Sequence, residues 1–129
     1  PVNKARLAGL MRATDLGMQI LANVPAFYYG TSPNKFFDYI AAGVPVLNNY
    51  PGWLAEMIES NGCGYAVPAA DPAAFADALE LAAAERDQLV VKGERARELA
   101  EREFDRRVLS DKWARWVEGA ADKAPVAAH

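Results

Sequence analysis

The fold of this chain is decided by residues 31–47, which read TSPNKFFDYIAAGVPVL. Ser32 has the side chain of a helix N-cap, and Pro33 suits the first helical position, where no N–H is needed. Gly43 favours the end of a helix, and Pro45 prevents the helix from continuing into the apolar run that follows. The stretch therefore predicts a loop, a short helix, a tight turn and a buried strand.

The predicted helix has one apolar side and one polar side. The apolar side holds Phe36, Phe37 and Ile40. Asn34 and Asp38 are four residues apart and share the opposite side, with Lys35 beside them. A helix start with free backbone N–H groups and a neighbouring cation binds anions, so we expect an anion site here.

Composition excludes several classes of protein. The 129 residues suit a single domain, and the net charge of −3 argues against a general nucleic-acid binder. The chain has no apolar run long enough to span a bilayer, and its one cysteine, Cys63, rules out an internal disulfide framework. The single histidine, His129, is the last residue, so a Ser–His or Cys–His catalytic pair is not expected. We expect a cytoplasmic protein.

Apolar periodicity predicts the other elements. In chain order they are a helix over residues 3–13, a strand over 16–21 buried on both faces, a loop over 22–30, a strand over 44–48, a helix over 53–60, a strand over 65–67, a helix that begins at Asp71 and Pro72, a helix over about 85–104, and a helix from near Ser110. This alternation indicates an α/β domain over residues 1–119 with a three-stranded parallel sheet, followed by a disordered tail over 120–129. So small a sheet leaves an exposed edge, which we expect another chain or further residues to cover, for instance in a homodimer.

Two groups of aromatic residues invite alternative interpretations. The rings of Phe27, Tyr28 and Tyr29 either close over the core or line a ligand cleft beside the anion site. Trp113 and Trp116 are expected to pack the last helix against the body of the domain.

Residues 32–46 resemble the donor-site segment of glycosyltransferase family 4, in particular that of bacterial polysaccharide-assembly transferases. The motif Pro-Asn-Lys…Asp-Tyr…Gly-x-Pro-Val carries the resemblance, which extends from about Leu7 to Trp116. The family consists of retaining, nucleotide-sugar-dependent enzymes of the GT-B fold. The resemblance implies part of a GT-B C-terminal domain, a three-layer Rossmann-like parallel sheet with helices on both faces.

The resemblance also assigns roles to residues. Asp38 stands where the family has the glutamate that holds the ribose hydroxyls, and Gly30 stands where it has the glutamate of the donor-sugar loop. Gly30 carries no carboxylate, so we expect no catalytic residue in this chain, and binding without turnover. The implied donor-binding residues are Gly30, Thr31, Ser32, Asn34, Lys35 and Asp38. The implied donor is a UDP- or GDP-linked sugar, with no metal ion and no other cofactor.

The resemblance implies a partner as well. The acceptor-binding N-terminal domain has no counterpart in this chain, so the chain alone is expected to be inactive. The full-length enzyme would work close to a membrane surface and transfer sugar to a glycan or lipid-linked acceptor in polysaccharide biosynthesis. A different class of function stays open from the residues alone, namely a non-catalytic α/β interaction module that self-associates.

Overall fold

A computed structural model describes residues 2–121 and has an α/β fold. In chain order its elements are α1 (Lys4–Arg12), β1 (Gly17–Gln19), α2 (Pro25–Tyr28), α3 (Asn34–Ala41), β2 (Val46–Asn48), α4 (Trp53–Asn61), β3 (Gly64–Ala66), α5 (Pro72–Ala84), α6 (Arg86–Glu103) and α7 (Arg106–Ala121). The expected tail began at residue 120, but residues 120 and 121 still belong to α7. The rest of that tail lies outside the described residues.

The three strands form one parallel sheet in the order β1–β2–β3, which confirms the predicted parallel arrangement. β2 is buried along its whole length. On β1, however, Met18 is 41% exposed and Ile20, just after the strand, is 59% exposed. The prediction that this strand is covered on both faces is therefore wrong. β1 lies at the edge of the sheet, and its outer face keeps these apolar side chains in contact with solvent.

The core lies between the sheet and the helices α3 and α4. Phe36 and Ile40 of α3 are fully buried with Val46 of β2, as the apolar side of the predicted helix requires. Phe37 is half-buried and packs edge-on against Phe36, with ring centroids 5.4 Å apart. Burying each large apolar side chain contributes about 2 kcal/mol of stability, and this contribution holds α3 on the sheet.

α6 crosses the ends of α3 and α4 that precede the strands. A Cβ at Gly93 would lie 2.4 Å from the carbonyl oxygen of Gly43, so α6 meets the α3–β2 turn backbone to backbone. Arg97 donates to the carbonyl of Ala41, and Arg102 Nη2 donates to Asn61 Oδ1 at 2.6 Å. Cations at helix C-termini are favourable because the helix dipole is negative there. α6 thus closes the amino ends of the strands and leaves the carboxyl ends open.

The first and last helices pack less than expected. No residue of α1 is buried, and Leu10 is 54% exposed. α7 begins at Arg106 because the Asp105 carboxylate accepts the N–H of Arg107 at 2.8 Å, which caps the helix. Every side chain over residues 106–120 is exposed, Trp113 by 67% and Trp116 by 70%. The prediction that the two tryptophans anchor α7 to the body is wrong, because α7 leaves the core after residue 104.

Candidate functional site

The start of α3 is open at the carboxyl edge of the sheet. Pro33, and not the predicted Ser32, occupies the N-cap position, and no side chain caps the helix. The correction has a backbone cause, because Pro33 keeps an extended conformation (ψ 122°) and helical geometry begins one residue later, at Asn34. The Phe36 N–H donates to the carbonyl of Pro33 at 3.0 Å, but the N–H groups of Asn34 and Lys35 make no hydrogen bond within residues 2–121 and stay free to meet a ligand.

The loop that leads into α3 is held by three hydrogen bonds. The Thr31 N–H donates to the carbonyl of Phe27 at 3.1 Å, and the Thr31 hydroxyl donates to the same oxygen. The indole Nε1 of Trp53 donates to the carbonyl of Thr31 at 3.0 Å. Trp53 is the first residue of α4, so two helix starts are tied together through Thr31. This role of Trp53 was missed from the sequence, because the partners lie 22 residues apart.

The three aromatic residues before this loop were expected either to close over the core or to line a ligand cleft, and the structure separates them. Tyr28 is buried and stacks on Tyr50, with ring centroids 6.1 Å apart, so it closes over the core. Phe27 is 57% exposed and Tyr29 is 73% exposed. Only these two remain available to a ligand, and a cleft lined by them stays a prediction.

Polar side chains lie at the carboxyl ends of β1 and β2. Gln19 and Asn48 are register partners and are 4% and 0% exposed. Gln19 Nε2 and Asn48 Oδ1 have no hydrogen-bond partner among the described residues, at a cost of about 1–3 kcal/mol each. Next to them, the Asn49 side chain accepts the N–H of Leu21 at 2.8 Å and donates to its carbonyl at 3.1 Å.

These three residues were missed from the sequence. The available signal was a polar residue at the end of each apolar strand, Gln19 after Met18 and Asn48 after Leu47. In a parallel sheet such ends meet at one edge. The carboxyl edge is therefore the polar edge of this sheet, on the same side as the start of α3.

The structure divides the predicted donor-binding residues into two places. Five of them lie in the loop and at the helix start, namely Gly30, Thr31, Ser32, Asn34 and Lys35. Asp38 lies one turn further along α3, about 6 Å from Asn34 along the helix axis. It lines a groove between α1 and α3 whose lining contains none of the other five. Lys35 and Asp38 are both exposed and do not form an ion pair with each other within 4.0 Å.

The groups with shifted pKa values are buried hydroxyls and a thiol. Burial raises the pKa of Tyr50, of Tyr65 and of the Cys63 thiol. A raised pKa keeps these groups protonated at neutral pH, so they do not serve as bases or nucleophiles there. Within residues 2–121, no group of three or more His, Cys, Asp or Glu side chains could hold a metal ion. None of the helices in that range is both long enough and apolar enough to cross a bilayer.

No family model, no curated protein and no solved structure matches this chain. The geometry of α3, of the loop before it and of the sheet edge beside it is therefore the basis for a functional proposal.

Proposed function

We propose that this chain is the nucleotide-sugar-binding part of a retaining glycosyltransferase, with the three-layer Rossmann-like arrangement of a GT-B C-terminal domain. The observation that carries the proposal is the uncapped start of α3 beside the exposed Lys35, at the carboxyl edge of a parallel sheet. Ligand sites of open α/β sheets lie outside the carboxyl ends of the strands. The proposal therefore puts the ligand where this class of fold binds one.

The diphosphate of the donor would meet the start of α3. The free N–H groups and the positive end of the helix dipole favour a negative charge there, and Lys35 adds a full positive charge. The Ser32 side chain and the Gly30 backbone border the same point on the loop. Thr31 holds that loop in place, since its N–H and hydroxyl both donate to the Phe27 carbonyl. Sugar transfer releases a diphosphate whose negative charge grows in the transition state, so these groups would stabilise the leaving group.

Asp38 would hold the ribose hydroxyls from one turn further along α3. A carboxylate accepts two hydrogen bonds from neighbouring hydroxyls, and Asp38 is exposed and free of an ion pair with Lys35. In this proposal the chain supplies no catalytic carboxylate, because Gly30 occupies the position where the resembled family has one. Turnover would need the acceptor-binding domain, and a cytoplasmic location and a role in polysaccharide biosynthesis belong to the same proposal.

Calorimetric titration with UDP, GDP and their hexose adducts tests the proposal. We expect one site, and a loss of about fivefold in affinity in Lys35→Ala, because an exposed ion pair contributes up to about 1 kcal/mol. Lys112→Ala removes the same charge from α7 and should bind like the wild type. If no nucleotide binds, or if the two variants weaken binding equally, the proposal fails.

A second candidate is an interaction module that self-associates. It rests on α7, whose apolar side chains are exposed, and on the bare outer face of β1. An apolar helix face without a partner and an unpaired sheet edge both favour association. Sedimentation analysis of the wild type and of Trp113→Ala/Trp116→Ala tests it. A dimer that the double variant dissociates supports this candidate, and a monomeric wild type refutes it.

A further inference from the structure

The groove between α1 and α3 differs in chemistry from the start of α3. It has a volume of about 380 Å³ and is lined by Lys4, Leu7, Ala8, Met11, Arg12, Asp38, Ala41, Ala42 and Arg97. This volume is within the usual range of ligand sites, about 300–1,000 Å³. Three elements contribute to it, since α1 forms one wall, α3 the other, and Arg97 reaches in from α6.

Positive charge predominates in the groove. Three cations and one carboxylate line it, and Arg97 also pairs with the Glu101 carboxylate, so one positive charge is in excess although the whole chain has a net charge of −3. The cations come from both ends of α1 and from α6. Charge of one sign gathered in a concave site attracts small ions of the opposite sign.

Two of the three cations make no ion pair with a carboxylate of residues 2–121, whereas Arg97 pairs with Glu101. Lys4 and Arg12 are absent from the ion pairs that residues 2–121 form within 4.0 Å, and Asp38 is absent from them too. Arg97 is held in place by Glu101, at 2.7 Å, and donates to the carbonyl of Ala41. Its position is thereby fixed at the end of the groove, while the two cations of α1 keep their hydrogen-bond donors available.

The floor of the groove is apolar. Leu7 and Met11 are half-buried on the side of α1 that turns to α3, and three alanines complete the surface. An inorganic ion would leave this surface in contact with water. A ligand with an apolar body removes this surface from water and gains about 25 cal/mol of binding free energy per Å² of apolar surface buried.

We propose that the α1–α3 groove binds a small amphiphilic anion, with its acidic group attracted by the positive charge of Lys4, Arg12 and Arg97 and its apolar body on Leu7 and Met11. This site goes beyond the proposed function, because five of the six proposed donor-binding residues lie outside the groove. The sixth, Asp38, faces the groove as its one carboxylate. It disfavours a second negative charge and favours a ligand with a hydroxyl or amine beside its acidic group.

Fluorescence titration with 1-anilinonaphthalene-8-sulfonate tests the site, because this probe joins a sulfonate to an apolar body. N-Phenyl-1-naphthylamine is the matched probe without the charge. The test variant is Lys4→Ala/Arg12→Ala. The control is Arg6→Ala/Arg107→Ala, which removes two exposed cations outside the groove. Ala8→Phe keeps every charge and fills the groove, and circular dichroism verifies that each variant is folded.

We expect one equivalent of the sulfonate probe to bind, and to bind about fivefold more weakly to the test variant than to the control. Ala8→Phe should abolish that binding, and the neutral probe should not distinguish the two double variants. Equal affinity of the sulfonate probe for the test and control variants overturns the proposal, and so does unchanged binding to Ala8→Phe. None of these substitutions falls on a proposed donor-binding residue, so the outcome is independent of the nucleotide titration.

Discussion

Gly93→Ala tests the packing of α6 across the α3–β2 turn. Gly93 lies inside a helix, where replacing glycine with alanine ordinarily stabilises by about 1 kcal/mol. Here the added Cβ would stand 2.4 Å from the carbonyl oxygen of Gly43 and 3.6 Å from Cδ of Pro45. The first separation is far below van der Waals contact, and the obstructing atom belongs to the backbone, so a side-chain rotation cannot relieve it.

The two effects oppose each other, and the clash should prevail. Overpacking of a well-packed interior costs about 1–3 kcal/mol, and forcing α6 away would also disturb the buried neighbours Ala96 and Leu99. After subtraction of the gain of about 1 kcal/mol in helix propensity, we expect Gly93→Ala to lower the free energy of unfolding by up to about 2 kcal/mol. For a chain of this size that corresponds to a fall of up to roughly 8 °C in Tm.

Urea denaturation followed by circular dichroism measures the change, and the chain provides matched controls. Gly9 in α1 and Gly119 in α7 are also helical glycines, and a Cβ at either would meet no atom within 4 Å. Gly9→Ala and Gly119→Ala should therefore raise the free energy of unfolding by up to about 1 kcal/mol each. If Gly93→Ala stabilises the protein as much as the controls do, α6 does not cross the turn at Gly43 and the described packing is wrong.

Three further outcomes follow from particular contacts. Trp53→Phe removes the donor to the carbonyl of Thr31, so the free energy of unfolding measured in urea should fall by about 1 kcal/mol. Amide exchange over residues 27–33 should become faster, and unchanged exchange would show that this hydrogen bond does not hold the loop. Ala70 has a positive φ of 55°, so Ala70→Gly should raise the free energy of unfolding by about 0.5–1 kcal/mol. The same change at Ala83, an exposed helical position, should lower it. A lower free energy of unfolding in both variants would refute backbone strain at Ala70. Burial raises the pKa of the Cys63 thiol above its ordinary value, so as the pH rises past that ordinary value the unfolded chain loses this proton first and the free energy of unfolding falls. Between pH 8 and pH 10, urea titrations should therefore show a larger fall in the free energy of unfolding for the wild type than for Cys63→Ala. Equal falls in the two proteins would contradict a raised pKa of Cys63.

Local rules predicted the parts of the fold that local chemistry controls. Gly43 follows the end of α3 with φ +72°, and the Asp71 carboxylate caps α5 by accepting the N–H of Ala74 at 2.9 Å. Each of these helix ends depends on residues only a few positions apart, so the local sequence is enough to predict it. Ser32 shows the limit of such rules, because a good capping side chain does not serve when the extended backbone continues through the next residue.

Periodicity identified apolar faces without indicating what covers them. The stripe of α3 packs on the sheet, but the stripes of α1 and α7 remain largely exposed, with Leu10 and Trp116 among their members. The polar edge was harder still to predict. The clamp between Asn49 and Leu21 joins residues 28 positions apart, and its formation depends on the strand order, which the sequence does not contain locally.

We propose above that an anionic nucleotide binds at the uncapped start of α3. Amide chemical shifts of the ¹⁵N-labelled protein during a UDP titration test it residue by residue. We predict that the largest changes occur at the N–H groups of Ser32, Asn34 and Lys35, because these amides lie in the loop and first turn that would face the phosphates and make no hydrogen bond within residues 2–121. Saturating UDP that leaves these three amides unmoved, whether it shifts others or none, would contradict the claim.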